Sequence, residues 1–343
     1  MPDTASSPTL AQIARLAGVS VPTASRVANG RENVSPATRQ RVEEVMRRTG
    51  YVQRHRPGPG ASSLIDVVVP GLSNGWITEI LRGAEETATQ DHLSLVISAS
   101  VQGSCGGRPA SGWLDALSVR GTVGVLFTAT DLPAAHQRAL VHHAIPHVLI
   151  EPAFESPADT PTVRTAHRDG GRAATEHLLG LGHQDIAVIA RTSHHTLRGD
   201  TERLAGYRSA HAAAGLHVHQ QYLRYAGCDP EHAYRVAHDL LRLEHPPTAV
   251  LACSADLADA TCRAAARRGL RVPQDLNVVG FEDLTENHRA TPALTSVEPS
   301  VAQMSAWGMR TLVAMMHGKS VTTGVTEIPP RLVVRHSTSL PRR

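Results

Sequence analysis

TLAQIARLAGVSVPTASRVANGRENVSPATRQRVEEVMRRTGY, residues Thr9 to Tyr51, is the stretch that decides the architecture of this chain. Leu10, Ile13, Ala14 and Ala17 recur at helical spacing and predict one short amphipathic helix. Ala24, Val27 and Ala28 predict a second, about Val21–Ala28, after a tight turn at Gly18-Val19-Ser20. Small residues on both stripes let the helices cross closely, and a glycine in the connection suits a helix-turn-helix. A third helix is expected from Ser35, an N-cap, with Pro36 at its first position and Val42, Val45 and Met46 on its buried face. Three small helices with polar, arginine-bearing faces suit a head that reads DNA rather than a catalytic unit.

Working outward, the 343 residues are too many for one small core and imply two or three units. Residues 1–60 hold nine arginines and four acids, a balance of +5, while the whole chain is +3 and the remainder therefore −2. A basic head on a slightly acidic body suits a polyanionic partner at one end. Lys319 is the only lysine, a chain-wide bias that fits GC-rich coding better than chemical selection of arginine. Cys105, Cys228, Cys253 and Cys262 show neither zinc spacing nor a disulfide framework and read as reduced thiols of a cytoplasmic, nucleoid-associated protein. The first 30 residues lack the continuous apolar core of a signal peptide or a membrane span. His142-His143, His194-His195 and His217-Val218-His219 have no cysteine or carboxylate set at ligand spacing, so no metal or other cofactor is expected.

Residues 52–63, VQRHRPGPGASS, are proline- and glycine-rich and mark a linker. Beyond them apolar runs predict buried parallel strands at Leu64–Pro70, Leu93–Ala99, Thr122–Phe127, Ile186–Ala190, Ala249–Cys253 and Asn277–Phe281. Helical patterns lie near 76–90, 111–119, 133–144, 170–181, 201–214, 230–242 and 256–268, with a late helix at Val301–His317. The alternation argues for right-handed βαβ units in doubly wound, mostly parallel sheets, whose ligands bind beyond the carboxyl ends of the strands.

The head resembles that of the LacI-type (LacI/GalR) family of transcriptional regulators. Thr9, Leu10, Ile13, Ala14, Ala17, Gly18, Val19, Ser20, Thr23, Ser25, Arg26 and Asn29 match its pattern, as do Ser35, Thr38, Arg39, Val42, Gly50 and Tyr51. Ala24 and Ala28 replace the usual valine and leucine. In the body Gly170–His183, Arg203–Leu216, Gly269–Leu284, Pro292–Pro299 and Leu332–Thr338 match as well, so the resemblance covers nearly everything after residue 8. It implies an all-α helix-turn-helix head (9–51), a linker or degenerate hinge (52–63) and a two-lobe, periplasmic-binding-protein-like α/β domain (64–343) for effector binding and dimerisation. The chain would cross between lobes three times, with lobe 1 about 64–164 and 300–324 and lobe 2 about 165–299 and 325–343.

The resemblance makes Val21–Ala28 the recognition helix, with Val21 and Pro22 at the positions that set base preference. Arg26, one turn on, suits bidentate contact with a guanine or else a phosphate. Thr9, Ser20, Thr23, Ser25 and Asn29 suit backbone positioning, Thr9 and Ser20 serving equally well as helix caps. Relatives carry a hinge helix where this chain has Pro57-Gly58-Pro59-Gly60. A stable hinge helix is not expected, and Arg54, His55 and Arg56 either touch the DNA backbone or are solvated linker charges. For the effector the resemblance points to Asn74, Trp76, His167, Arg203 and Asp256. Asp256 also suits a helix N-cap and Trp76 plain lobe packing, while Glu282-Asp283 reads mainly as a structural turn. His167 stands where many relatives have Asn or Asp.

Other classes fit less well. Pro70–Gly75 is a poor dinucleotide turn, and a secreted solute-binding protein would lack the head. The expectation is a non-enzymatic repressor of carbohydrate-utilisation genes, released by a sugar-like effector. It would act as a homodimer on pseudo-palindromic double-stranded operator DNA, away from membranes. An activator of the same architecture would carry the same sequence features.

Overall fold

A computed structural model describes residues 10–28, 34–49, 63–71, 76–100, 109, 112–130, 132–191, 198–282 and 291–341. In the head, α1 spans Leu10–Ala17, α2 Val21–Ala28 and α3 Pro36–Thr49. Ile13, Ala14, Ala17, Ala24, Val27, Val42 and Val45 form its core. The α1–α2 turn needs Gly18, which sits at φ +61°, a region that costs other residues a steric clash. Each following helix begins on a serine: Ser20 Oγ accepts from Thr23 N and Ser35 Oγ from Thr38 N, both at 3.3 Å.

The body holds two six-stranded sheets. The first comprises β1 (Leu64–Val69), β2 (Ser94–Ala99), β3 (Gly124–Thr128), β4 (His147–Ile150), β5 (Thr162–Thr165) and β11 (Val325–Ile328), in the order β11-β5-β4-β3-β1-β2, all parallel. The second comprises β6 (Ile186–Arg191), β7 (Leu223–Ala226), β8 (Ala249–Ala252), β9 (Asn277–Phe281), β10 (Thr295–Glu298) and β12 (Arg331–Val333), in the order β12-β10-β9-β8-β6-β7. Only β12 runs antiparallel there, against β10. The central strands β1, β3, β6, β8 and β9 are buried almost throughout, as near-continuous apolar runs require when both faces are covered.

Lobe 1 carries α4 (Trp76–Gln90), α5 (Trp113–Arg120), α6 (Ala134–His142) and α11 (Val301–Met316); lobe 2 carries α7 (His167–Gly180), α8 (Arg198–Ala213), α9 (Pro230–Leu240) and α10 (Ala255–Arg267). The two orders mirror each other, and the chain passes between the lobes after β5, after β10 and after β11. The third passage corrects the expected boundary. Val325–Ile328 pairs with Thr162–Thr165 of the first sheet, so the crossing falls at Pro329-Pro330 and not ahead of residue 325. The reason is hydrogen bonding: β11 completes the edge of β5 before two prolines end the ladder.

Candidate functional site

On the head, Val21 is 46% exposed, and Pro22 and Arg26 are exposed too. Pro22 and Arg26 stand four apart and share a face of α2. Thr23 is half-buried, its hydroxyl 2.8 Å from that of Ser20, so Ser20 acts as the cap of this helix. Ser25 lies within α2. Thr9, Asn29, Arg54, His55 and Arg56, with the hinge reading, lie outside the described residues.

In the body, the site starts from a close helix crossing. A Cβ on Gly171 of α7 would lie 2.2 Å from Arg203 O, and one on Gly206 of α8 would lie 2.1 Å from Arg168 O. Glycine at both points lets the two backbones touch and brings Arg203 beside His167, the first residue of α7. Both side chains are buried. Arg203 Nε donates to His167 Nδ1 at 3.2 Å, so that ring nitrogen accepts and the other donates, to Glu151 Oε1 at 2.5 Å. Glu151 follows β4, in lobe 1, so the chain Arg203–His167–Glu151 spans the cleft.

The guanidinium of Arg203 is further held by Cys253 O, by Asp200 Oδ1 at 3.5 Å and by Glu282 Oε1 at 3.6 Å, and it stacks 4.0 Å from the centre of the Phe281 ring. Cys253 and Glu282 directly follow β8 and β9, so the cluster sits at the carboxyl ends of the strands. Burial pushes the Asp200 and Glu282 carboxyls up, and the charges of Arg203 and Arg191 only partly oppose it. Burial would also raise Glu151, but His167 and hydrogen bonds from the Thr165 hydroxyl (2.6 Å) and amide (3.0 Å) outweigh it and hold Glu151 at about 2. The arrangement groups carboxylate acceptors with a guanidinium donor, a set whose chemistry suits hydroxyl groups.

Of the expected effector residues, the structure brings His167 and Arg203 together. Asp256 stands apart from that pair, 76% exposed and 2.6 Å from Arg191 NH2 at the end of β6. It is not a helix N-cap: Ser254 fills that role, accepting from Leu257 N at 3.3 Å. Trp76 opens α4, half-buried against the lobe 1 core, and Asn74 lies outside the described residues. The sequence reading missed Glu151 and Asp200, and took Glu282 mainly for a structural turn residue. Glu282 does turn the chain, at φ +66°, and its carboxylate also faces Arg203. Its place directly after a strand was the signal that could have marked it.

The expectation of reduced cysteines also needs correction. Cys253 and Cys262 are free thiols, whereas Cys228 is disulfide-bonded. Among the described residues no group of three or more His, Cys, Asp or Glu could hold a metal ion, and no helix is long and apolar enough to cross a membrane.

A three-helix DNA-reading head joined to a two-lobe body with a polar cleft defines a class: regulators of transcription that respond to a small ligand. Comparison with known proteins makes this specific. Residues 9–53 match the family model for bacterial regulatory proteins of the lacI family, and residues 175–338 match a periplasmic binding protein-like domain. The HTH-type transcriptional regulator DegA of Bacillus subtilis is 30% identical over 341 residues, covering 96% of this chain and 98% of DegA. The structure of the transcriptional regulator CelR with cellobiose is 28% identical, with a TM-score of 0.71 over 96% of this chain and 99% of CelR. The lac repressor dimer bound to operator is 25% identical, with a TM-score of 0.68 over 97% of this chain and all of that one. The chain belongs to the LacI family of transcriptional regulators.

Proposed function

We propose that this regulator is a homodimeric, cytoplasmic repressor of carbohydrate-utilisation genes, released from a pseudo-palindromic operator by a small sugar-like effector. The observation that carries the reading is the Arg203–His167–Glu151 chain across the cleft, built at strand carboxyl ends where ligands of such sheets bind. A sugar between the lobes would take hydrogen bonds from Arg203 and give them to Glu282 and Glu151, with the buried Phe281 ring backing the guanidinium. Arg191 and Asp256 stand at the rim of the same site. The described head residues Val21, Pro22 and Arg26 would read bases, with Ser20, Thr23 and Ser25 as positioners. The described relatives point the same way, CelR through its cellobiose complex and the lac repressor through its dimer on operator.

The test is a thermal-shift screen of the full chain against mono- and oligosaccharides, cellobiose and ribose included. A ligand at 100 times its Kd stabilises the folded state by about 2.7 kcal/mol, a shift that is readily measured. A hit should release DNA selected by the full chain and lose its effect in Asp256→Ala or Arg203→Ala. A flat screen across neutral sugars would overturn the effector reading.

A further inference from the structure

Helix α8 presents charged side chains on two adjacent faces. Asp200 and Arg203, three apart and both buried, face the interior of lobe 2 and the cleft cluster. Arg198 and Glu202, four apart, share another face and meet lobe 1. Glu202 Oε1 lies 3.0 Å from Arg198 Nε and 3.0 Å from Arg164 NH1, and Arg164 is part of β5 in the first sheet. Arg198 NH1 lies 3.5 Å from Glu155 of lobe 1, and its amide donates to Ala153 O at 3.2 Å. Adjacent positions on one rigid helix therefore hold the cleft guanidinium and the contact with the opposite lobe.

Arg164 is the unusual member. It is 8% exposed and shared between two acids: Glu202 of lobe 2, and Glu327 of its own sheet, whose carboxylate it binds through NH2. NH1 and Nε make no hydrogen bond, so the contact with Glu202 is one of charge alone. Stripping a buried arginine of its only acid is strongly destabilising. Parting of the lobes at Glu202 would leave Arg164 still beside Glu327, so opening would not strand a buried arginine.

We propose that Arg164 and Glu202, seconded by Arg198, form a releasable clasp between the lobes, and that these are positioning residues which set lobe 1 against the Arg203 site. The inference rests on the cleft as the regulatory site but not on which ligand it takes.

Hydrogen exchange read by mass spectrometry on the full chain, without ligand, tests it. Glu202→Gln should speed exchange severalfold in residues 151–157 and in the first turns of α8, and leave the strands of both sheets protected. Glu327→Gln removes an acid from the same arginine without spanning the lobes, and should leave those segments near wild type. Arg198→Gln should reproduce the effect of Glu202→Gln and serves if that variant does not fold. Unchanged exchange in Glu202→Gln and Arg198→Gln, an equal effect of Glu327→Gln, or protection lost throughout α7–α10 in both clasp variants would overturn the proposal. A cleft that binds no sugar counts against the proposed effector and leaves this result standing.

Discussion

The head and the body keep the side chains proposed to bind DNA and effector on opposite sides of the solvent boundary. Val21, Pro22 and Arg26 stand exposed on an eight-residue helix whose buried face is alanine and valine. His167, Arg203 and Asp200 are buried, each tied to the others or to a backbone carbonyl. A residue that must enter a DNA groove needs only a scaffold behind it. A residue that must sense a ligand between two lobes has to hold the lobes as well. The difference predicts that variants of the buried body cluster change stability and function together, whereas variants of the exposed head residues Val21, Pro22 and Arg26 change recognition alone.

The largest effect should come from Arg203→Ala. It strands Asp200 as a buried acid and takes a partner from the half-buried Glu282, and losing one partner of a buried pair costs about 3–5 kcal/mol. Chemical denaturation should show that loss; a change under about 0.5 kcal/mol, the range of surface substitutions, would put Arg203 outside the core of the site.

Next is pH. Glu151 is held at about 2, below its ordinary 4.5, so its contribution is complete above the ordinary value and fades as pH falls from there toward 2. It amounts to about 3 kcal/mol at neutral pH. The raised carboxyls of Asp200 and Glu282 act with the opposite sign, losing stability as pH rises through the ordinary carboxylate range. Comparing wild type with Glu151→Gln isolates Glu151: the variant's stability should fall less between pH 5 and pH 3. Parallel curves would contradict the assignment.

Arg26→Ala should weaken operator binding by about 1–3 kcal/mol and relax one base position, with thermal unfolding unchanged. Titration on operator variants at several salt concentrations separates base from phosphate contact, since only the latter leaves base preference intact and flattens the salt slope. The smallest effect belongs to Ser20→Ala, which removes the cap of α2 and should cost the head about 0.5–2 kcal/mol of stability. A neutral result would contradict the assignment of Ser20 as the cap of this helix.

The contrast between the regions also governs what the sequence could reveal. The helices of the head announce themselves through Gly18, Ser20, Ser35 and Pro36, because caps and turns are local chemistry. The buried strands β1, β3, β6, β8 and β9 are apolar runs and were equally legible, as was β2, which lies at the sheet edge and is exposed or half-buried rather than buried. The strands β4, β5, β7, β10, β11 and β12 were not. Each has three or four residues, and β5 reads TVRT, with a buried arginine whose acids lie on α8 and on β11, far away in sequence. Missing β4 hid Glu151, since a residue can be placed at the carboxyl end of a strand only once the strand is known. Arg203 and His167 emerged through the family pattern, but nothing local encodes the hydrogen bond between them; it depends on the crossing of α7 and α8 at Gly171 and Gly206.

The most direct test of the division between an exposed reader and a buried sensor uses Arg203→Lys, which keeps the charge but not the forked geometry. Fluorescence anisotropy would follow the folded variant and the wild type on operator DNA selected by the full chain, with increasing amounts of the sugar that stabilises wild type. The expected result is wild-type operator affinity without sugar, and release shifted to at least tenfold higher sugar, about 1.4 kcal/mol of lost binding. Release at the wild-type sugar concentration, or a folded variant unable to bind operator, would contradict the account.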